Sequence, residues 1–283
     1  MKEYFCLVAG LPEIQIYDHK LSFSLKEFKE ELRENLSPQD FTLIELYFQK
    51  FDNQNLLAYF KDTEAELNEL GNLSLKDLEE ILQMINEEEN PQDPRIPEYF
   101  KKFIPSYLEE NPIFPGVSWE DQLNSLYYDS SLNCKNGFVS RWFEFNLNIS
   151  NLLTAIACRK HNIPVSGAVV GNNSIAKAIR TSHAKDFGIT PIFPQIDEVF
   201  RIAEEPDLME REKKIDLLKW QWLDEEAFFY YFTVEKIFAY LIKLSIIERW
   251  TMLSKEIGEE IFRDMIQTLK QSFEFSEEFT LNK

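Results

Sequence analysis

The stretch Phe143-Glu-Phe-Asn-Leu-Asn-Ile-Ser-Asn-Leu-Leu-Thr-Ala-Ile-Ala-Cys-Arg-Lys-His-Asn-Ile-Pro164 makes two demands that any fold of this chain must meet together. Its apolar residues Phe145, Ile149, Leu152, Leu153, Ile156 and Ala157 recur at helical spacing. Asn146, Asn148 and Asn151 lie among them, and asparagine is a poor residue for a helix interior because its amide competes for backbone partners. Buried amides of this kind must be hydrogen-bonded, since an unpaired one costs roughly 1 to 3 kcal/mol. The design occurs earlier as well, in Phe48-Gln-Lys-Phe-Asp-Asn-Gln-Asn-Leu-Leu-Ala-Tyr-Phe-Lys61. There Asp52-x-x-Asn55-Leu56-Leu57 answers Asn148-x-x-Asn151-Leu152-Leu153, 96 positions apart. A repeated helix with a polar centre predicts duplicated helical lobes.

An all-α fold is expected. The chain of 283 residues has only 8 glycines, too few for the turns that a hairpin-rich architecture demands, while 24 phenylalanines suit large helix–helix contacts. Capping boxes or their Asp variants at Ser24-x-x-Glu27, Ser37-Pro-Gln-Asp40, Thr63-x-x-Glu66 and Ser74-x-x-Asp77 predict short antiparallel helices, and Ser118-Trp-Glu-Asp121 predicts another start. Tyr4 to Gly10 reads as a strand or an extended apolar segment. Prolines at 91, 94, 97, 112 and 115 mark a connection, which divides the chain into an N-terminal helical lobe over 1–95, a Pro-rich connection over 96–117 and one or more C-terminal lobes over 118–283. Pro164 is expected to end the central helix, and Asn173 or Ser174 to cap a helix over Ile175–Ala184. Ile237, Leu241, Leu244, Ile247, Trp250, Leu253, Ile257, Ile261, Met265 and Leu269 step by three or four. With Asp224 as cap they predict a rod of ~70 Å, with a break possible at Gly258.

Charge excludes some functions. A net charge of −19 is incompatible with general nucleic-acid binding, which requires cationic surface. Between Cys134 and Lys185, seven basic residues face the single acid Glu144, so this middle segment carries +6 and the rest −25. An acidic partner would dock there. Three cysteines at no recurring spacing suit a reduced, intracellular protein. Glu3 spoils the basic flank of a signal peptide, and Glu235, Lys236 and Lys243 make Ala227–Ile247 too polar to span a bilayer.

Catalytic signatures are sparse. Neither His161 nor His183 follows a carboxylate by three residues, as di-iron bundles require, and Cys158 with His161 supplies only two of the four ligands of a zinc site. Gly167-Ala-Val-Val-Gly-Asn-Asn-Ser174 leads into a helix but lacks the Lys-Ser/Thr pair of a phosphate loop, so a loop with an ordinary N-cap is the reading preferred. Trp220, Trp222 and Phe228–Phe232 are read as core or interface. No cofactor and no catalytic residue is expected.

In its Asp/Asn-x-x-Asn-Leu-Leu helices the chain resembles the C (or d) subunit of V-type and archaeal-type rotary ATPases, whose pseudo-threefold helical lobes carry Asp-x-x-Asn-hydrophobic motifs followed by a basic residue. Asp52, Asn55 and Lys61 match in the first copy, and Asn148, Asn151 and Arg159 in the second. The N-terminal Tyr4-Phe-Cys-Leu-Val-Ala-Gly-Leu-Pro12 is similar to an uncharacterised bacterial family encoded with V-type ATPase subunits. Asn148 stands in place of the motif's aspartate, and the position 96 beyond Asn151 is Ile247, without an asparagine motif. The resemblance implies a non-catalytic socket between the membrane rotor ring and the central stalk. It would be cytoplasmic and peripheral on the inner face of the cell membrane, without inserting directly, and a monomer on its own. Arg141, Trp142, Arg159 and Lys160 are the expected partner contacts, while Asn148 and Asn151 would be polar contacts between lobes. Two other readings stand beside it: an acidic helical adaptor of another complex, and an enzyme acting on a small anionic substrate near Gly167–Lys185.

Overall fold

A computed structural model describes residues 2–87 and 91–253. Among them the chain forms eleven α-helices and no strand. They are α1 (Phe5–Gly10), α2 (Leu25–Asn35), α3 (Pro38–Lys61), α4 (Leu75–Glu87), α5 (Phe100–Leu108), α6 (Trp119–Leu132), α7 (Gly137–Lys160), α8 (Ser174–Thr181), α9 (Ile196–Ala203), α10 (Leu208–Glu226) and α11 (Val234–Met252). The starts follow the local chemistry. Ser24 forms a full capping box with Glu27, Ser37 caps α3 ahead of Pro38, and Ser118 and Asn173 accept from Asp121 and Ala176. The Ser74 hydroxyl likewise accepts from the Asp77 N–H at 3.2 Å.

Helix α7 is the axis. It packs against α6, α8, α9, α10 and α11, and buries Phe138, Trp142, Phe145, Ile149 and Leu152 among others. Helix α3 reaches it through α6, and α11 closes the molecule by packing on α2, α3 and α7. One core of buried apolar side chains therefore runs from Tyr4 to Ile247, across the Pro-rich connection. At its centre Phe238, fully buried, holds edge-on contacts with Tyr47, Phe138 and Phe143, tying α11 to α3 and α7.

Several expectations are corrected. Tyr4 to Gly10 is not extended: the Tyr4 N–H donates to the Phe232 carbonyl, Phe5–Gly10 is α1, and a short apolar run cannot by itself distinguish strand from helix. Thr63 starts no helix, because residues 62–74 form a loop whose backbone is held by side chains of α3. The Pro-rich connection contains α5, with Pro105 inside it and Phe100, Phe103 and Ile104 buried. Helix α7 ends at Lys160, ahead of Pro164, with Asn162 in the left-handed region at φ 56°. Helix α8 stops at Thr181, short of Ala184. Asp224 is no cap: it lies in the last turn of α10 and pairs with Lys243, and a turn over 227–233 separates α10 from α11. Ile257, Ile261, Met265, Leu269 and Gly258 lie outside the described residues.

Replacing Phe238 with Ala would empty the aromatic junction and cost about 3 to 5 kcal/mol. Urea unfolding of the variant checks this, and a loss under about 1 kcal/mol would show that the three helices are not joined there.

Candidate functional site

The two motif helices, α3 and α7, use their asparagines in the same way. The Asn55 side chain donates to the Asn68 carbonyl at 3.0 Å and accepts from the Asn68 N–H at 2.7 Å. The Asn151 side chain donates to the Val170 carbonyl at 2.8 Å and accepts from the Val170 N–H at 2.9 Å. In each case a side-chain amide pairs with one residue's main chain as a neighbouring strand would, and so satisfies a loop that has no secondary structure of its own. The position three residues earlier completes the clamp. Asp52 accepts from the N–H groups of Asn72 and Leu73 at 2.6 and 3.0 Å and from the Asn72 side chain at 2.7 Å. Asn148 accepts from the Asn173 side chain at 2.8 Å. All four motif residues are buried. Asn148 and Asn151 hold the loop that follows their own helix, rather than bridging lobes.

A cation locks each clamped loop from the far side. Lys29, on α2, donates to the carbonyls of Leu70 and Gly71, both at 2.8 Å. Arg180, on α8, donates to the carbonyls of Val169 and Gly171, both at 2.7 Å. Both cations thus serve a clamp glycine. At Gly71 a Cβ would lie 2.7 Å from the Asn55 amide nitrogen and 2.9 Å from Asp52, and Gly171 has φ +76°, so neither position accommodates a side chain without strain. The loops share Leu70-Gly-Asn-Leu-Ser-Leu75 and Val170-Gly-Asn-Asn-Ser-Ile175, a likeness that could have been read from the sequence beside the asparagine motif.

Burial acts against both charges of the first clamp. Desolvation raises the Asp52 pKa above the usual aspartate value, opposed by its hydrogen bonds and by Lys29. It lowers that of Lys29 from 10.5 to about 8, partly offset by Asp52.

The expected partner-binding residues separate on the surface of α7. Trp142 is 4% exposed and packs against Trp222 at 5.7 Å, because its direction around the helix, about 100° from Arg141, points it to the core. It is no docking residue. Arg141 is exposed and pairs with Glu226 at 3.0 Å. Arg159 lies over the Phe187 ring and donates to the carbonyls of Ser182, Ala184 and Lys185, so its guanidinium is held internally. Lys160 is exposed. Trp220 and Trp222 are core, whereas Phe228, Phe229 and Tyr231 project from the turn before α11.

Between α3, α6, α7, α10 and α11 lies a broad cleft of about 1260 Å³. Its walls include Phe51, Tyr128, Phe143, Leu147 and Ile246, together with both clamped loops at Asn68–Leu70 and Val170. Lys50 and Lys219 enter it, and neither is marked out by spacing or composition. At its edge Arg249 is held by Asp216 and by Glu212, 3.1 Å away. Among the described residues no group of three His, Cys, Asp or Glu side chains is placed to hold a metal ion.

Fold and site together define an all-helical protein built on two clamped helix–loop units around a shared cleft. The chain belongs to the family DUF2764, described as a protein of unknown function, whose family model matches residues 1–273. No curated protein and no solved structure matches it.

Asn55→Ala and Asn151→Ala would each leave a partly buried N–H and carbonyl without their side-chain partner and cost about 1 to 3 kcal/mol in chemical unfolding. If both variants lost less than about 1 kcal/mol, the clamps would not be what holds the loops. Lys29 predicts a pH dependence. Above pH 8 the folded chain has released this proton while the unfolded chain keeps it until about 10.5, so unfolding takes up a proton and stability rises with pH across that interval. Lys29→Met should flatten this part of the stability–pH curve relative to the parent chain, and an unchanged slope would refute the assignment.

Proposed function

We propose that this chain is a non-catalytic central-stalk subunit of a V-type ATPase, a socket that couples the membrane rotor ring to the stalk in ion-driven ATP synthesis or hydrolysis. The cleft carries this reading. It lies between two helix–loop units of the same construction, and helices from both sides of the Pro-rich connection line it.

The motif residues that carry the resemblance to the rotary-ATPase socket family support the reading from a second direction, because in both copies they perform the same clamping task. Clamping also suits a part that transmits torque: loops bonded to helices through buried amides resist shear better than loops that are only solvated. In the basic segment, Arg159 and Arg180 are directed at backbone carbonyls, which weakens the alternative of a small-anion enzyme at Gly167–Lys185. No helix among the described residues is long and apolar enough to cross a membrane, so attachment at the cytoplasmic face would run through other subunits. Exposed Arg141 and Lys160 remain the surface contacts of this proposal.

The test is to tag the chain in its own host, solubilise membranes gently and identify what is recovered by native mass spectrometry. Rotor-ring and stalk subunits at one copy of this chain per motor are expected. A free monomer, under conditions that keep the motor intact, would refute the proposal, and recovery with an unrelated complex would replace it with the adaptor reading.

A further inference from the structure

Six acids, Glu66, Glu69, Asp121, Glu212, Asp216 and Glu248, and four cations line the cleft, yet two of the cations, Lys50 and Lys219, form no ion pair among the described residues. Lys219, on α10, points into it, and among the described residues no carboxylate lies within ion-pair distance of its ammonium group and no hydrogen bond reaches it. Its neighbour Asp216 is already engaged by Arg249 and by the Trp250 indole N–H at 2.6 Å. Glu212, the other acid nearby, is also taken by Arg249. Lys50, facing the same space from α3, has among the described residues only the Tyr47 hydroxyl at 2.6 Å and the rings of Tyr47 and Phe51. Desolvation lowers the pKa of Lys219, Asp216 and Glu212 oppose this, and Arg249 and Lys50 lower it further. A second cation beside a half-buried lysine is unfavourable unless an anion joins them.

The walls narrow the identity of that anion. Phe51, Tyr128, Phe143 and Ile246 give the cleft an apolar part to its wall, with Phe51 against Lys50, and the volume exceeds what a single small anion needs. We infer that Lys50 and Lys219 together bind a carboxylate side chain carried on an otherwise apolar protein helix that enters the cleft. This rests on the socket reading and names the contact by which the inserted stalk helix would be recognised and held in register. Lys219, without an ion pair or hydrogen bond among the described residues, gains a partner on assembly. An inserted helix without an acid at that position would leave two ammonium groups desolvated, so the site selects as well as binds.

Carbodiimide joins an amine and a carboxylate only where they touch, so it reports the carboxylate's source directly. Applied to the gently solubilised assembly and followed by peptide mass spectrometry, it is expected to link Lys219 or Lys50 to an Asp or Glu of a stalk subunit. Lys50→Met and Lys219→Met should each reduce recovery of that subunit at least about tenfold near physiological salt. The isolated Lys219→Met chain should melt no lower than the parent, because among the described residues the lysine has no ion pair or hydrogen bond to lose. Several results would overturn the assignment. A link to a carboxylate within residues 254–283 of the same chain would make the occupant internal, and a link to a second copy would make the cleft a self-association site. Stabilisation of the parent by millimolar inorganic phosphate, abolished in both variants, together with absence of any such link, would give the site to a free anion. Stalk subunits recovered equally by parent and variants would remove the lysine contact while leaving the socket intact, whereas a parent chain that recovers no ATPase subunit would remove both.

Discussion

Everything in this structure depends on a side-chain amide taking the place of a neighbouring strand. A primary amide carries one donor and one acceptor group in the same relative placement as a residue's main chain, so Asn55 and Asn151 can each close a two-bond ring with a single loop residue. That makes it possible to press an irregular loop against the buried face of a helix, where an unpartnered main chain would be prohibitive. The cleft exists because of it. Both clamped loops form part of its wall, and with solvated loops in their place the gap between α3 and α7 would have no defined rim.

The two copies solve the same problem with different charges. In the first, a carboxylate and an ammonium group are buried together, Asp52 holding main-chain N–H groups and Lys29 holding main-chain carbonyls. In the second, the carboxylate is replaced by neutral Asn148, and the cation is the guanidinium of Arg180 arriving from the helix that follows. The cation is therefore not there to neutralise the acid, since the second copy keeps it without one. It is there for the carbonyls. This also alters the meaning of the basic middle segment, whose two central arginines, Arg159 and Arg180, are structural pins.

What can be read from the sequence divides along a physical line between local and distant partners. Caps such as Ser24, Ser37, Ser74 and Ser118 are legible because their partners are three residues away. Thr63 carries an equally good local signal and is overruled by Asn55 and Asp52, which recruit the loop after it from the preceding helix. The expected rod breaks for a similar reason: Asp224 has the composition of a cap, but its partner Lys243 belongs to the next helix. The asparagine motif is visible because it repeats, while its partners Lys29 and Arg180 are not, since they come from opposite directions along the chain. Trp142 parts from Arg141 because adjacent residues on a helix face different media. Lys50 and Lys219 have no sequence signal at all, being two lysines among many that become special only where helices leave a gap.

The packing of α11 on α2 has a consequence for how the molecule is made. Glu248 accepts from the Leu25 N–H at 2.8 Å, and the Tyr4 N–H donates to Phe232, so elements more than two hundred residues apart complete one another. A nascent chain leaving the ribosome has both clamps available once α8 has emerged, because each is closed by residues close in sequence. The apolar faces of α2 and α3 then wait for α11, and such distant contacts form slowly. Synthesis thus passes through a stage in which the polar joints are set while a hydrophobic flank is still uncovered, and that stage is where a chaperone would find its substrate.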